Sequence, residues 1–107
     1  MQLLPLEIRV HGTSLAGDEA RMIRRCVGRF ASSSGHVVRC RVTVDTPRQP
    51  SGAHTKYTAR VQLFLPSDEI VVAEPPSDDR FGVIQEALDA AGRQLEDYVV
   101  HHWYHPA

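Results

Sequence analysis

The segment "FGVIQEALDAAGRQLEDYVVHH" constrains the fold more than any other stretch of the chain. Phe81, Ile84, Leu88, Ala91, Leu95 and Tyr98 recur at alternating steps of three and four, so on a helix they share one side. A stripe of that length has to be covered. The covering surface must come from the strand-like runs upstream, so the chain must fold as helices packed on a sheet.

Those runs are regular. Leu4, Leu6, Ile8 and Val10 alternate with Pro5, Glu7 and Arg9, the mark of a strand with one buried and one polar face. Pro5 has no N–H to give to a ladder, which places it at the strand's beginning or on a sheet edge. "HGTSLAG" breaks the alternation, and a helix is predicted over about Leu15 to Ala31, with Ser14 as its N-cap and Asp18 and Glu19 near its positive end. Met22, Ile23, Cys26, Val27 and Phe30 form its apolar side, and Arg21, Arg24, Arg25 and Arg29 the opposite one. The serines and Gly35 of "SSSG" end it. In "HVVRCRVTVD", Val38, Cys40, Val42 and Val44 face one way, and Arg39, Arg41, Thr43 and Asp45 the other. After the turn-rich "TPRQPSGAH", "KYTARVQLFL" sets Tyr57, Ala59, Val61, Leu63 and Leu65 against Thr58, Arg60 and Gln62. "PSD" is a hairpin connection into a fourth strand, "EIVVAE"; Ser77, Asp78 and Asp79 are each candidate caps of the last helix.

The expected fold is α+β in the order β-α-β-β-β-α: a four-stranded mixed sheet with two helices packed on one face. The first two strands, joined through a helix, should be parallel with a right-handed crossover. The later strands, joined by short connections, should be antiparallel. The 107 residues form one domain, and folding should bury roughly 65% of the extended chain's surface. The tail from about residue 103 to 107 is expected to fray.

Composition excludes more than it proposes. The net charge of -1 rules out binding to nucleic acid through bulk positive charge, so any affinity for a polyanion must come from a local patch. Cys26 and Cys40 fall in apolar patterns and read as buried free thiols. No charged-then-apolar leader opens the chain and no apolar run approaches the ~20 residues needed to span a bilayer, so a cytoplasmic protein that does not engage membranes is expected. His101 and His105 are one helical turn apart, with His102 beside them. They have no acidic or cysteine ligand near them in sequence, whereas structural metal sites take four ligands. They read as surface histidines, and no metal is expected. There is no phosphate-binding glycine loop, no nucleophile elbow and no cysteine paired by motif with a histidine. No enzyme, cofactor or small-molecule substrate is expected.

Element order and spacing lead further. The opening "QLLPLEIRVHG", the helix "DEARMIRRCVGRF", the strands "VRCRVTVD" and "YTARVQLFLP" followed by "EIVV", and the helix "IQEALDAAGRQLEDY" together resemble the ribosome hibernation-promoting factors and ribosome-associated inhibitors, once called sigma-54 modulation proteins. The resemblance covers nearly the whole chain and corresponds to the family's short single-domain form. It implies a factor that binds the small ribosomal subunit in the channel used by messenger and transfer RNA and inhibits translation in idle or stressed cells. Relatives of this type carry lysines and arginines along and after the final helix. Here the outward side of that helix has Glu86, Asp89, Glu96 and Asp97, with Arg93 as the only counter-charge, and histidines follow.

Two sets of cations could meet folded RNA, where positive groups are presented to phosphates with little base readout. One is the helical row of Arg21, Arg24, Arg25 and Arg29. The other is Arg9, Arg39, Arg41 and Arg60 at outward strand positions, which cluster if those strands are neighbours. They have few acidic partners in the pattern and no obvious structural purpose. Arg48, His54 and Lys56 extend this set along a loop. The bland alternative for the helical row is a solvated face. Phe64 should point to the open face, either as a partly covered aromatic or as a platform for a base or a partner protein. Two other functional classes stay open. One is a protein–protein module, a homodimer included, that uses the open sheet face or the acidic last helix. The other is a divergent double-stranded-RNA-binding module.

Overall fold

The computed structural model describes residues 4–12, 14–32, 36–46 and 56–103. Strand β1 (Leu6–His11) leads into helix α1 (Gly17–Ser32). Strands β2 (Arg39–Asp45), β3 (Thr58–Leu65) and β4 (Asp68–Ala73) follow, and helix α2 (Arg80–Trp103) closes the chain. The sheet order is β1-β2-β3-β4, with β1 parallel to β2 and the other pairs antiparallel. This is the expected α+β architecture. Pro5 directly precedes β1, which is an edge strand.

One sheet face carries Cys40, Val42, Val44, Ala59, Val61, Leu63, Leu65, Ile70 and Val72. Both helices cover it and join it in a single core, through Met22, Ile23, Val27 and Phe30 of α1 and through Val83, Ile84, Ala87, Leu88, Ala91, Leu95 and Val99 of α2. The helices run side by side in the same direction. Their N-terminal ends meet where Glu19 binds Arg80, and farther along Phe30 lies against Gly92, where a Cβ would stand 3.4 Å from its ring. At the end of β1, Gly12 has φ +103° and passes so close to Thr46 that a Cβ would stand 2.6 Å from the threonine Cβ. Only glycine suits that turn.

Several local expectations need correction. Ser14 does not cap α1: the helix begins at Gly17, and Ala16 occupies the cap position, its carbonyl accepting from Ala20 N–H. Ala16 has no capping oxygen. Glu19 supplies the reciprocal half of a capping box by accepting the Ala16 N–H at 2.8 Å. Val38 does not join the core and is 52% exposed. The chain enters β2 through His36 at φ 60°, and Val37 turns inward instead. Phe81 lies in the first turn of α2 and remains 37% exposed, while Tyr98 packs against the core only in part. Asp68 belongs to β4, so the hairpin turn is Pro66–Ser67 alone. Asp79 caps α2, accepting the Gly82 N–H at 3.0 Å, and the Ser77 hydroxyl in turn accepts the Asp79 N–H. The last helix is regular as far as Trp103; residues 104–107, like Ser33 to Gly35, lie outside the described residues. Among the described residues no helix is long and apolar enough to cross a membrane.

Candidate nucleic-acid interface

The uncovered sheet face is built by strand alternation. Each core residue on β1, β2 and β3 is followed by one that points the other way, and the register brings those outward residues together. Glu7 pairs with Arg41, and Arg41 with Gln62. Arg9 pairs with Thr43, and Thr43 with Arg60. Arg39 lies opposite Phe64. The four arginines predicted to cluster therefore share one face of three adjacent strands. That face is not purely basic, because Asp45 and Glu69 also occupy outward positions on it.

The expectation was few acidic partners for these arginines; Glu7 alone serves two of them. Its Oε2 accepts from Arg9 Nε and its Oε1 accepts from Arg41 Nε at 3.1 Å. The hydrogen bonds from Arg9 and then Arg41 hold the Glu7 carboxyl below its ordinary value of 4.5. Each arginine uses only Nε, so the terminal nitrogens of both have no partner among the described residues. Arg39 lies over Phe64, with its guanidinium carbon 4.3 Å from the ring centroid, and Arg41 approaches the same ring at 5.5 Å. Phe64 is thus half-buried beneath guanidinium groups on the open face. Arg60 is exposed and unpaired among the described residues. His11 and Asp45 stand 3.9 Å apart at the end of the β1–β2 ladder.

The second set sits on α1. Arg21, Arg24, Arg25 and Arg29 are all exposed, and among the described residues none makes an ion pair. Met22, Ile23, Val27 and Phe30 turn the opposite side of this helix to the core, so the arginine row faces away from the sheet. The two cationic sets therefore occupy opposite faces of the domain and form no continuous patch. Lys56 is exposed just before β3; Arg48, His54 and His105 lie outside the described residues. The outward side of α2 is as acidic as its sequence implies, with Glu86, Asp89, Glu96 and Asp97 all exposed.

One arginine was missed. Arg80 binds Glu19 through Nε at 2.9 Å and a terminal nitrogen at 2.8 Å, donates to the Ser14 carbonyl, and lies 5.8 Å from the Tyr57 ring. This cation is structural, and no local spacing announces a partner 61 residues away. The Glu7–Arg9 contact was findable, because the two stand two residues apart on the same strand face; the contact with Arg41, 34 residues away, was not. Among the described residues no group of three or more His, Cys, Asp or Glu side chains could hold a metal ion.

No protein-family model matches the chain, and no curated protein matches its sequence. Solved structures do match. A ribosomal subunit interface protein from Coxiella burnetii superimposes with a TM-score of 0.70 at 13% identity, over 89% of this chain and 97% of that one. The N-terminal domain of Protein Y from Thermus thermophilus superimposes with a TM-score of 0.65 at 16% identity, over 90% of this chain and 99% of that one. At these identities the likeness is one of fold, and it extends over nearly the full length of both solved chains.

Proposed function

We propose that this domain is a non-enzymatic factor that binds the small ribosomal subunit through phosphate contacts and inhibits translation by occupying the channel for messenger and transfer RNA. The observation that carries this reading is the placement of two guanidinium sets on opposite faces of a chain whose net charge is -1. A nearly neutral protein has no general attraction to polyanions, and arginine is the side chain best suited to fork onto phosphate oxygens. A flat RNA surface could engage one set only. An RNA-walled channel could engage both. The likeness to a protein named for the ribosomal subunit interface supports the same partner, as does the sequence resemblance to the hibernation factors. The factor breaks no bond, needs no cofactor and works in the cytoplasm.

Co-sedimentation with purified small subunits over a range of salt concentrations tests the reading. Binding should weaken steeply with salt, because each neutralised phosphate releases counterions. Replacing Arg21, Arg24, Arg25 and Arg29 together by alanine should lower the affinity and reduce the log–log salt slope by about three. The triple variant Arg39→Ala/Arg41→Ala/Arg60→Ala should do the same by about two. Absence of binding, or binding indifferent to salt, overturns the proposal; salt-insensitive self-association would point to a protein–protein module.

A further inference from the structure

Two residues of the open sheet face have no evident direct use in holding phosphate, yet the arginines rest on them. Glu7 repels phosphate. Phe64 offers it nothing. Glu7 nevertheless ties Arg9 to Arg41 by accepting from the Nε of each, and Phe64 carries Arg39 at 4.3 Å and Arg41 at 5.5 Å. The order across the face is Arg9, Glu7, Arg41, Phe64, Arg39: three guanidinium groups separated by two supports. A carboxylate bound at Nε and a ring beneath the group both restrain a guanidinium while leaving its outer nitrogens open. An unrestrained surface arginine would have to lose that freedom on binding.

We propose that Glu7 and Phe64 are positioning residues that lock Arg9, Arg41 and Arg39 into one preset row, whose terminal nitrogens meet the phosphates of a single RNA strand. This rests on the ribosome-binding reading above and adds to it the form of the RNA contact. It also makes a prediction opposite to charge counting. Glu7→Gln removes a negative charge from a phosphate-binding face, so electrostatics alone would strengthen binding and steepen its salt dependence. If Glu7 sets the row, the same substitution loosens two arginines and weakens binding.

The experiment measures equilibrium binding of the full chain to purified small ribosomal subunits for wild type, Glu7→Gln, Phe64→Leu and Phe64→Tyr, with thermal melting as the check on folding. Glu7→Gln and Phe64→Leu should each weaken binding about three- to tenfold, the factor expected when one or two side chains must be ordered on association. The Phe64→Leu salt slope should stay unchanged, because no charge is lost. Phe64→Tyr, which keeps the ring, should bind like wild type and so separate ring support from mere packing. Tighter binding by Glu7→Gln, or wild-type affinity in Phe64→Leu, overturns the row while leaving ribosome binding intact. A wild-type protein that fails to bind subunits overturns both.

Discussion

Cys40 lies on β2 with no exposed surface, and burial pushes its thiol from 9.0 up to about 12. The sign of the resulting pH dependence is fixed. Below pH 9 the thiol is protonated in both folded and unfolded chains and contributes no slope. Above it the unfolded thiol ionises while the folded one cannot, so stability falls by up to about 1.4 kcal/mol per pH unit until the folded group also titrates. Urea unfolding at pH 8 and at pH 10.5 checks this. The stability of wild type relative to Cys40→Val should drop over that interval, and a difference that does not change with pH would contradict it. Cys26 differs because it is only half-buried. It lines a groove of about 540 Å³ between the helices with Phe30, Leu95 and Val99. Burial raises its pKa also, with Arg29 pulling the other way. A thiol reagent should therefore modify Cys26 slowly and leave Cys40 intact until the chain unfolds.

At the scale of elements, the two helices are locked at their N-terminal ends by Glu19 and Arg80, whose side chains are 6% and 17% exposed. Neither charge could stay so enclosed without the other. Glu19→Ala leaves the guanidinium facing an empty carboxylate position and also removes the bond to Ala16 N–H, so it should cost about 3–5 kcal/mol in chemical denaturation. Glu19→Leu combined with Arg80→Met should recover most of that loss, since a well-packed apolar pair replaces a buried ion pair at little cost. If Glu19→Ala cost less than about 1 kcal/mol, the pair would not be the lock described here. This contact also marks where the sequence stops being legible. Strand phase could be read because alternation is local: Cys40, Val42 and Val44 went inward and Arg39 and Arg41 outward as their spacing requires. Strand directions followed from connection type, while the order β1-β2-β3-β4 came from the fold. The Glu19–Arg80 pair leaves no trace in local pattern, and Asp18 and Glu19 read only as helix-dipole residues. The cap moved from Ser14 to Ala16 because Glu19 could serve both Ala16 and Arg80. On the open face the outward phase of the arginines was visible, but their clustering, and the placing of Glu7 between Arg9 and Arg41, required the strand order and the register of β1 on β2.

Across the whole molecule, charge is sorted by surface. The helix layer is basic along α1 and acidic along the outside of α2, and the sheet side carries the guanidinium row with scattered carboxylates. Because α1 and α2 lie side by side, an RNA element spread across both helices would meet the exposed Glu86, Asp89, Glu96 and Asp97. An element that follows α1 alone would pass Asp89 and Glu96, which line the groove between the helices beside Arg29, but not Glu86 and Asp97. Packed helix axes are about 8–10 Å apart, and at physiological salt the screening length is about 8 Å. The far side of that flank, Glu86 and Asp97, should therefore be largely hidden from an RNA held against α1. It follows that Glu86→Gln/Asp97→Gln should change affinity for small subunits by less than about threefold at 0.15 M salt. The change should grow at lower salt, where screening weakens. A gain of tenfold or more at 0.15 M would mean that α2 itself faces phosphate, and the docking orientation would have to turn toward the acidic helix. The same comparison on the α1 quadruple variant isolates the two flanks: with the arginine row gone, neutralising α2 should not restore binding, since removing repulsion supplies no fork for a phosphate to occupy.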